Sequence, residues 1–437
     1  MRAALLLASL AFSSLIQADM LDALKHYDEK DYPKASQEFS ELLPLGNELA
    51  AFNLAVMFYK GEGTKADQVK ALAYFQLADA LGDSRAAALS KSVSAKLSAE
   101  QQQQATEQFQ SLLNKVQIRD LHDDEVDLTD LPEVISRRAP DYPVDAARKG
   151  TFGYTVMKYL IDEQGNVNTV EVLGSFPDKS FNKSSIRAMK SWKYAATGQK
   201  HAGKVMLHYS LGPLQHQQVK QFMQQHKLME YAVAGSPQHQ FLLGTLLDML
   251  ATNSSYFVQS DKNQALDPAA ELPQQFFKRK SGFSTTIEGF SGSAMVKTDA
   301  KGKVTEVLNA DKMSKQRATA LLVGKELDED ASNNFFRLWA DPGKKVSITP
   351  VAYVSELHTG SYWWTMAAKN GNLEAQRQLA MLSETWENYL LQANDPQVQA
   401  WNGVRKILQG NKVEGQLLLD KAIAQNYQMA AELKAAL

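Results

Sequence analysis

The chain has 437 residues, with 47 basic against 49 acidic side chains and a net charge of −2. Its length suits about three domains of ~150 residues each, and the charge balance excludes the one-signed patches by which proteins hold nucleic acid or anionic membranes. Cysteine is absent, which excludes disulfides, thiolate metal sites, cysteine nucleophiles and lipid attachment through a lipobox.

At the start, Arg2 precedes an apolar run from Ala3 to Ile16 and then Gln17-Ala18-Asp19. A charged start, a short greasy core and a small residue before a polar switch predict a secretory signal over 1–18, cut after Ala18. The run is short of the ~20 apolar residues of a membrane span. Ile16 is large for its place before the cut, which leaves an uncleaved anchor as the alternative. No later apolar span follows, so no stable transmembrane anchor is expected; in a Gram-negative cell the destination is the periplasm.

Residues 19–115 read as helices. Leu49–Tyr59 mixes alanines with aromatics, and Gly61 and Gly63 end it because glycine accepts the left-handed turn of a helix stop. Asp67 is the expected N-cap of the next helix, Lys70–Ala78; Gly82 stops that one and Asp83 is placed to cap a third. Helix pairs of this kind bury their apolar faces only by stacking on neighbours. The pattern Ala51, Leu54, Ala55, Met57, Tyr59, Gly61, Gly63, Asp67, Lys70, Ala71, Tyr74, Ala78, Gly82 and Ala86 resembles a Sel1-like repeat, a relative of the tetratricopeptide helix pair. Ala23–Glu41, with Tyr27, Tyr32, Ala35 and Phe39, reads as a half-repeat. Gln101–Gln104 is expected on a solvated helix face. Residues 116–131 form an acidic linker, whose Asp123–Asp130 run lacks the Gly and Glu spacing of a calcium loop.

The central stretch, 132–213, changes period. Thr155, Met157, Tyr159 and Ile161 fall on one face and Tyr154, Val156, Lys158 and Leu160 on the other, the period of two that marks a strand. Asp162–Gly165 turns the chain, with Gly165 fit for a positive φ. A strand Val167–Leu173 follows. Phe181, Ser185, Ala188, Met189 and Trp192 lie at helical spacing able to cover one sheet face, in a run ending at Trp192-Lys193-Tyr194. Lys204–Ser210 is the last strand.

This strand–strand–helix–strand order resembles the C-terminal domain of TonB-type energy transducers. Pro140, Tyr142, Pro143, Ala146, Gly150, Gly153, Val156, Ile161, Asp162, Gly165, Val167, Val170, Val172, Ser175, Phe181, Ala188, Trp192 and Tyr194 carry the resemblance. It implies that a short extended segment of an outer-membrane receptor adds as an extra strand to an exposed sheet edge, where backbone hydrogen bonds give affinity and alternate side chains selectivity. The candidate edge is Val205, Met206, Leu207, His208, Tyr209 and Ser210. The alternatives are an edge capped by a neighbouring repeat or paired with a second copy, since proteins protect such edges. Two departures argue against energy transduction by this chain alone: no histidine precedes His26, and the 13 prolines are scattered rather than gathered in a long reach.

Helices are expected again over 214–275, where Leu228–Ser236 and Gln240–Leu247 echo the earlier pair and Asn253–Gln275 is loop-like. Over 276–356 the sheet plan recurs. Gly292–Lys297, an Asp299-x-x-Gly302 turn and Val304–Leu308 parallel Gly153–Leu173, with a short helix expected at Asn334–Trp339 and a final strand at Lys345–Val354; an independent hairpin is the alternative to a degenerate second copy. Residues 357–437 return to helix pairs. Tyr59, Tyr74, Trp363 and Trp364 are candidate repeat-surface residues, although Trp363, Trp364 and Trp401 at this spacing fit packing between helices better.

The fold class is therefore α+β, TonB C-terminal-like ββαβ modules flanked by Sel1-like α-hairpins. No catalytic motif stands out. Gly289-Phe290-Ser291-Gly292-Ser293 has Ser where a nucleophile elbow ends in Gly, phosphate and dinucleotide loops are missing, and the eight histidines, His201 and His208 among them, lack metal-ligand spacing. The expectation is a non-enzymatic periplasmic adaptor for protein partners, without cofactor or metal, accessory to TonB-dependent outer-membrane transport. The alternatives are a peptidoglycan-associated envelope scaffold or a wall or peptide hydrolase using Asp162 and Glu163 as acid and base.

Overall fold

The computed structural model describes residues 18–119, 131–212, 214–253, 257–261, 272, 274–277, 282–327 and 335–437. The expected leader (1–17), the heart of the acidic linker (120–130) and most of the loop after Asn253 lie outside the described residues. The chain divides into two units.

The first unit gathers 18–119 with 235–237 and 367–377. Its helices are α1 (Met20–Asp28), α2 (Tyr32–Leu42), α3 (Glu48–Lys60), α4 (Gln68–Leu81), α5 (Ala86–Ser94) and α6 (Ala99–Leu113). Side-chain caps start most of them: Asp19 accepts from Leu21 N, Asn47 from Ala50 N, and Asp67 from Val69 N and Lys70 N, relieving amides that a helix start leaves unpaired. Left-handed Gly61 and Gly82 end α3 and α4 at φ 77° and 109°. Asp83, the expected cap of the third helix, accepts from the amides at the start of α5, Arg85 N on its carboxylate and Ala86 N on its carbonyl. Its carboxylate also takes the Arg85 guanidinium. Ala55, Ala71, Leu72 and Phe75 form a core in which small residues let α3 and α4 close up. Asn47 also donates to Lys369 O and Asn370 Oδ1, both at 2.8 Å, tying the 367–377 segment into this unit.

Among the described residues the second unit holds two larger sheets and a two-stranded ribbon. In the first, β1 (Val134–Ser136) and α7 (Val144–Lys149) precede the hairpin β2 (Gly153–Ile161) and β3 (Val167–Phe176), followed by α8 (Asn182–Met189), β4 (Lys193–Tyr194) and β5 (His201–Tyr209). The order is β3-β2-β5, all antiparallel, with β4 turned away to pair β1. Lys193-Tyr194, expected to end the helical run, is thus a strand. The final strand is also longer than expected at its start and stops before Ser210. It runs through Gly203 because Gly203 faces Tyr159 across the ladder, where a Cβ would meet the tyrosine ring at 2.5 Å. Met157, Tyr159 and Ile161 on the inner face of β2 pack with Met189, Trp192 and Tyr194.

Helices α9 (His216–Gln225), α10 (Leu228–Val233) and α11 (Pro237–Asn253) lead to the second sheet. Its strands are β6 (Phe257–Asp261), β7 (Phe283–Thr285), β8 (Gly292–Thr298), β9 (Val304–Asp311), β10 (Phe335–Ala340) and β11 (Val346–Ser355), with α12 (Lys315–Leu322) between β9 and β10. The order is β6-β11-β10-β8-β9, and β7 also pairs β11. Phe335–Trp339, expected as the short helix, is strand β10. Its residues alternate buried Phe336 and Leu338 with exposed Trp339, the pattern of a one-sided strand. The helix lies earlier, at α12, where Ala318 and Leu322 enter the core beneath the sheet. Pro350 lacks a donor and falls between the stretch of β11 paired to β7 and the stretch paired to β6, a position that spares the ladder.

The chain then forms α13 (Gly360–Lys369), α14 (Leu373–Ala380), α15 (Glu384–Gln392), α16 (Pro396–Leu408), α17 (Lys412–Ala424) and α18 (Gln428–Ala436). A Cβ at Gly244 of α11 would sit 2.9 Å from Gly360 O, and Trp364 Nε1 donates to Thr245 Oγ1 at 3.1 Å. The second sheet is therefore inserted between two helices that pack tightly together.

Candidate functional site

The candidate edge residues Val205–Tyr209 all lie on β5, the terminal strand of the first sheet, and no described strand pairs with its outer side. The same holds for β3 at the opposite border, an edge that sequence reasoning did not weigh. Alternate β5 side chains go to opposite faces. Val205 and Leu207 join the inner cluster with Tyr159 and Trp192. Met206 packs outward against α9–α11. Tyr209 is buried, and its hydroxyl shares a hydrogen bond with Ser185 at 2.7 Å, itself joined to Thr155. His208 lies beside Tyr154, and burial pushes its imidazole below the ordinary pKa. Both faces of the strand thus carry packing partners, while 201–208 keep partial exposure.

The inner face carries a second buried hydroxyl chain. Tyr159 and Tyr194 hydroxyls meet at 2.6 Å, and Arg137 Nη2 donates to Tyr194 at 2.8 Å. Burial, followed by the Tyr194 hydrogen bond, drives the Tyr159 phenol well above its ordinary range. This pins Tyr159 opposite Gly203.

The outer face holds an ionic ladder that the alternation hinted at only through Lys158. Glu171, Lys158 and Lys204 are direct cross-strand neighbours on β3, β2 and β5. Trp401 Nε1 donates to Glu171 at 2.5 Å and the Tyr427 hydroxyl donates to it as well. Lys158 Nζ lies 5.3 Å above the Trp401 ring, and Arg405 binds Glu387 at 2.6 Å. Burial lowers Lys158 to about 8 and lowers Lys204, whereas burial raises Asp248 of α11 to about 6 against the pull of Lys204. Charged groups at this depth depend on such pairing.

Asp162 and Glu163 do not form an acid–base pair. Asp162 Oδ1 accepts from the amides of Gln164 and Asn166, and both its oxygens accept from Asn166 Nδ2. Against the upward push of desolvation, these bonds hold its carboxyl below the ordinary value. Glu163 lies 3.6 Å from Lys200. The repeat-surface candidates divide. Tyr59 is exposed, Tyr74 is half-buried and stacked on Phe58, and Trp363 and Trp364 are buried. Both tryptophans serve packing, with Trp363 Nε1 on Leu357 O, so they offer no free surface.

A cleft of about 430 Å³ in the second sheet region, between Thr286–Ser291 and Pro342–Lys345, had no sequence signal. Among the described residues no group of three or more His, Asp or Glu is placed to hold a metal, and no helix is long and apolar enough to cross a membrane.

Residues 138–211 match the family model described as Gram-negative bacterial TonB protein C-terminal. Protein TonB of Yersinia enterocolitica is 32% identical over 69 residues, which cover 16% of this chain and 27% of that protein. Protein TonB of Salmonella typhimurium is 31% identical over 75 residues, covering 17% and 31%. The chain thus spans less than a third of the length of these relatives. A solution NMR structure of the Pseudomonas aeruginosa TonB C-terminal domain aligns at 22% identity with a TM-score of 0.19, covering 20% of this chain and 95% of that one. The first sheet and its helix therefore lie in a TonB C-terminal-like region, and the helical segments lie outside the match.

Proposed function

We propose that this chain is a non-enzymatic adaptor of the cell envelope, working in the periplasm and accessory to TonB-dependent outer-membrane transport. Its TonB-like module takes an extended segment of a partner, such as an outer-membrane transporter, along the outer side of β5. The observation that carries this reading is the position of β5: it is the terminal strand of the sheet inside the matched region. Strand addition uses backbone groups for affinity, and a strand at the border of a sheet is the place for it. On this reading the helical arrays are Sel1-like repeats that hold further envelope partners, and Asp162 serves its turn rather than catalysis.

We also read 276–356 as a degenerate second copy of the module. The correspondence of turns supports this. Asp162 Oδ1 accepts from the amides of Gln164 and Asn166, and Asp299 Oδ1 from those of Lys301 and Lys303. Tyr194 N bonds Gly165 O as Leu327 N bonds Gly302 O. β9-β8-β10 repeats the order β3-β2-β5.

The test is amide exchange on the full chain with a synthetic peptide from the periplasm-facing terminus of an outer-membrane transporter. Protection confined to 201–209 is the expected result. Saturating peptide that leaves these amides unprotected overturns the assignment.

A further inference from the structure

The outer face of the first sheet is covered by two sets of helices held in different ways. Tyr154, Val156 and Phe176 share one continuous apolar core with Val219, Leu228, Leu243, Leu246 and Leu247 of α9–α11. That cover cannot leave without exposing a core. The other cover, α16–α18, has an apolar centre of its own in Ala400, Val404, Leu419, Ala422, Ala430 and Leu433, to which the sheet adds buried Leu160 and partly buried Leu173 and Ala202. Trp401 belongs to the same cluster, and polar contacts complete the attachment. Trp401 and Tyr427 both donate to Glu171, and Lys158 lies over the Trp401 ring.

A body with its own core, docked through few apolar groups and a set of partly buried charges, has the character of a separable interface. Buried ion pairs add little net stability, because desolvation offsets the attraction, but breaking one side is costly. The charged groups that act on Lys158 are Glu171 and Lys204 on the sheet, Glu387 on α15 and Arg405 on α16, and Asp248 on α11 acts on Lys204.

We propose that α16–α18 form a releasable cover, latched at Glu171, which opens from the sheet while α9–α11 stay docked and bares the outer face of β2 and β3 around Leu160. Nothing in this depends on the identity of the guest at β5.

Amide exchange of the full chain at neutral pH tests it with two variants. Glu171→Ala removes the acceptor shared by Trp401 and Tyr427. Exchange across 396–436 should rise roughly tenfold or more, the loss expected for charge-assisted hydrogen bonds, while α11 amides keep their rates. An equal rise in α11 and α16–α18 would show one cooperative unit and overturn the proposal, as would no change in either. If Glu171→Ala does not fold, Lys158→Met decides. Taking the ammonium away from Glu171 and from the Trp401 ring should speed exchange of 396–436 several-fold while α11 amides keep their rates, and unchanged or slower exchange there refutes a polar latch.

Discussion

The outer sides of β5 and β10 hold the same place in two sheets of like order, yet only one has a described strand beside it. β10 pairs along Phe336–Trp339 with β11 from the same chain; β5 has β2 on one side and no described strand on the other. The second sheet carries its own added strand, antiparallel to its edge and extended further by β6 and β7. A sheet border is a template for pairing, and a protein can satisfy it from within or leave it for a guest. Under the function proposed above, a module of this plan serves as scaffold where the strand is built in and as receptor where it is not.

The hardest blow to this comparison comes from the second sheet's core. Phe336 is fully buried among Val296, Ala318 and Ile348, and Phe336→Ala should cost about 3–5 kcal/mol. If the second sheet is scaffold, the variant melts early by calorimetry while peptide protection of β5 below that transition is kept. Loss of protection in a still-folded first sheet would place the guest site in the second. The reciprocal change is Gly203→Val. Its Cβ would meet the Tyr159 ring at 2.5 Å, and Tyr159 is held by Tyr194 and Arg137, so overpacking should cost about 1–3 kcal/mol. Peptide binding should fall with it and the second sheet's exchange should not change.

How much of this was legible depended on period. The period-two reading of Tyr154–Ile161 and the Asp-x-x-Gly turn at 162–165 located the first hairpin; β2 is buried on both faces, so the alternation told which side chains share a face and not which face meets solvent. Asp67 and Gly82 marked helix ends through local bonding that needs no tertiary knowledge. The misreadings share a cause. Phe335-Phe336-Arg337-Leu338-Trp339 is short enough to read as helix or strand, and only its pairing with β8 on one side and β11 on the other settles it. Gly203 looked like a strand boundary because its reason, the Tyr159 ring, lies 44 residues away in sequence. Trp363 and Trp364 read better as packing than as surface, and the sequence did not name the partner, which is α11 at Gly244. At the candidate site, the strand was legible but its surroundings were not: Glu171, Trp401 and Tyr427 meet across more than 200 residues of chain.

A smaller effect separates the sheet's two covers by pH. The Asp248 carboxyl, on the apolar cover, is raised from 3.8 to about 6 by burial. A raised carboxyl contributes stability that is complete below about pH 4 and is lost as pH rises through 6, because the folded state holds the proton that the unfolded state has released. A rise of this size corresponds to about 3 kcal/mol. Asp248 keeps some solvent contact, so about 1–2 kcal/mol is the expected effect. Asp248→Asn removes the titrating group, so the variant should lose less stability than the parent between pH 4 and pH 8. Denaturant melts across that range measure the slope, and equal slopes would remove Asp248 as its source.

The least effect belongs to the turns, and it probes whether the two sheets are copies in more than outline. Asp162 accepts from two backbone amides and the Asn166 side chain, and its carboxyl is held below the ordinary value. A lowered carboxyl contributes stability above pH 4 that vanishes as pH falls. Asp162→Ala should lower stability at pH 7 by about 1 kcal/mol, the worth of a local side-chain cap, with the difference shrinking toward pH 3. Asp299 makes the corresponding backbone bonds to Lys301 and Lys303 and is likewise held low, so Asp299→Ala should show the same sign and the same narrowing in acid, read from the second sheet's own melting transition. Opposite pH trends in the two variants would mean that the turns only look alike, and the case for a built-in strand at β10 as the counterpart of a guest at β5 would lose its structural basis.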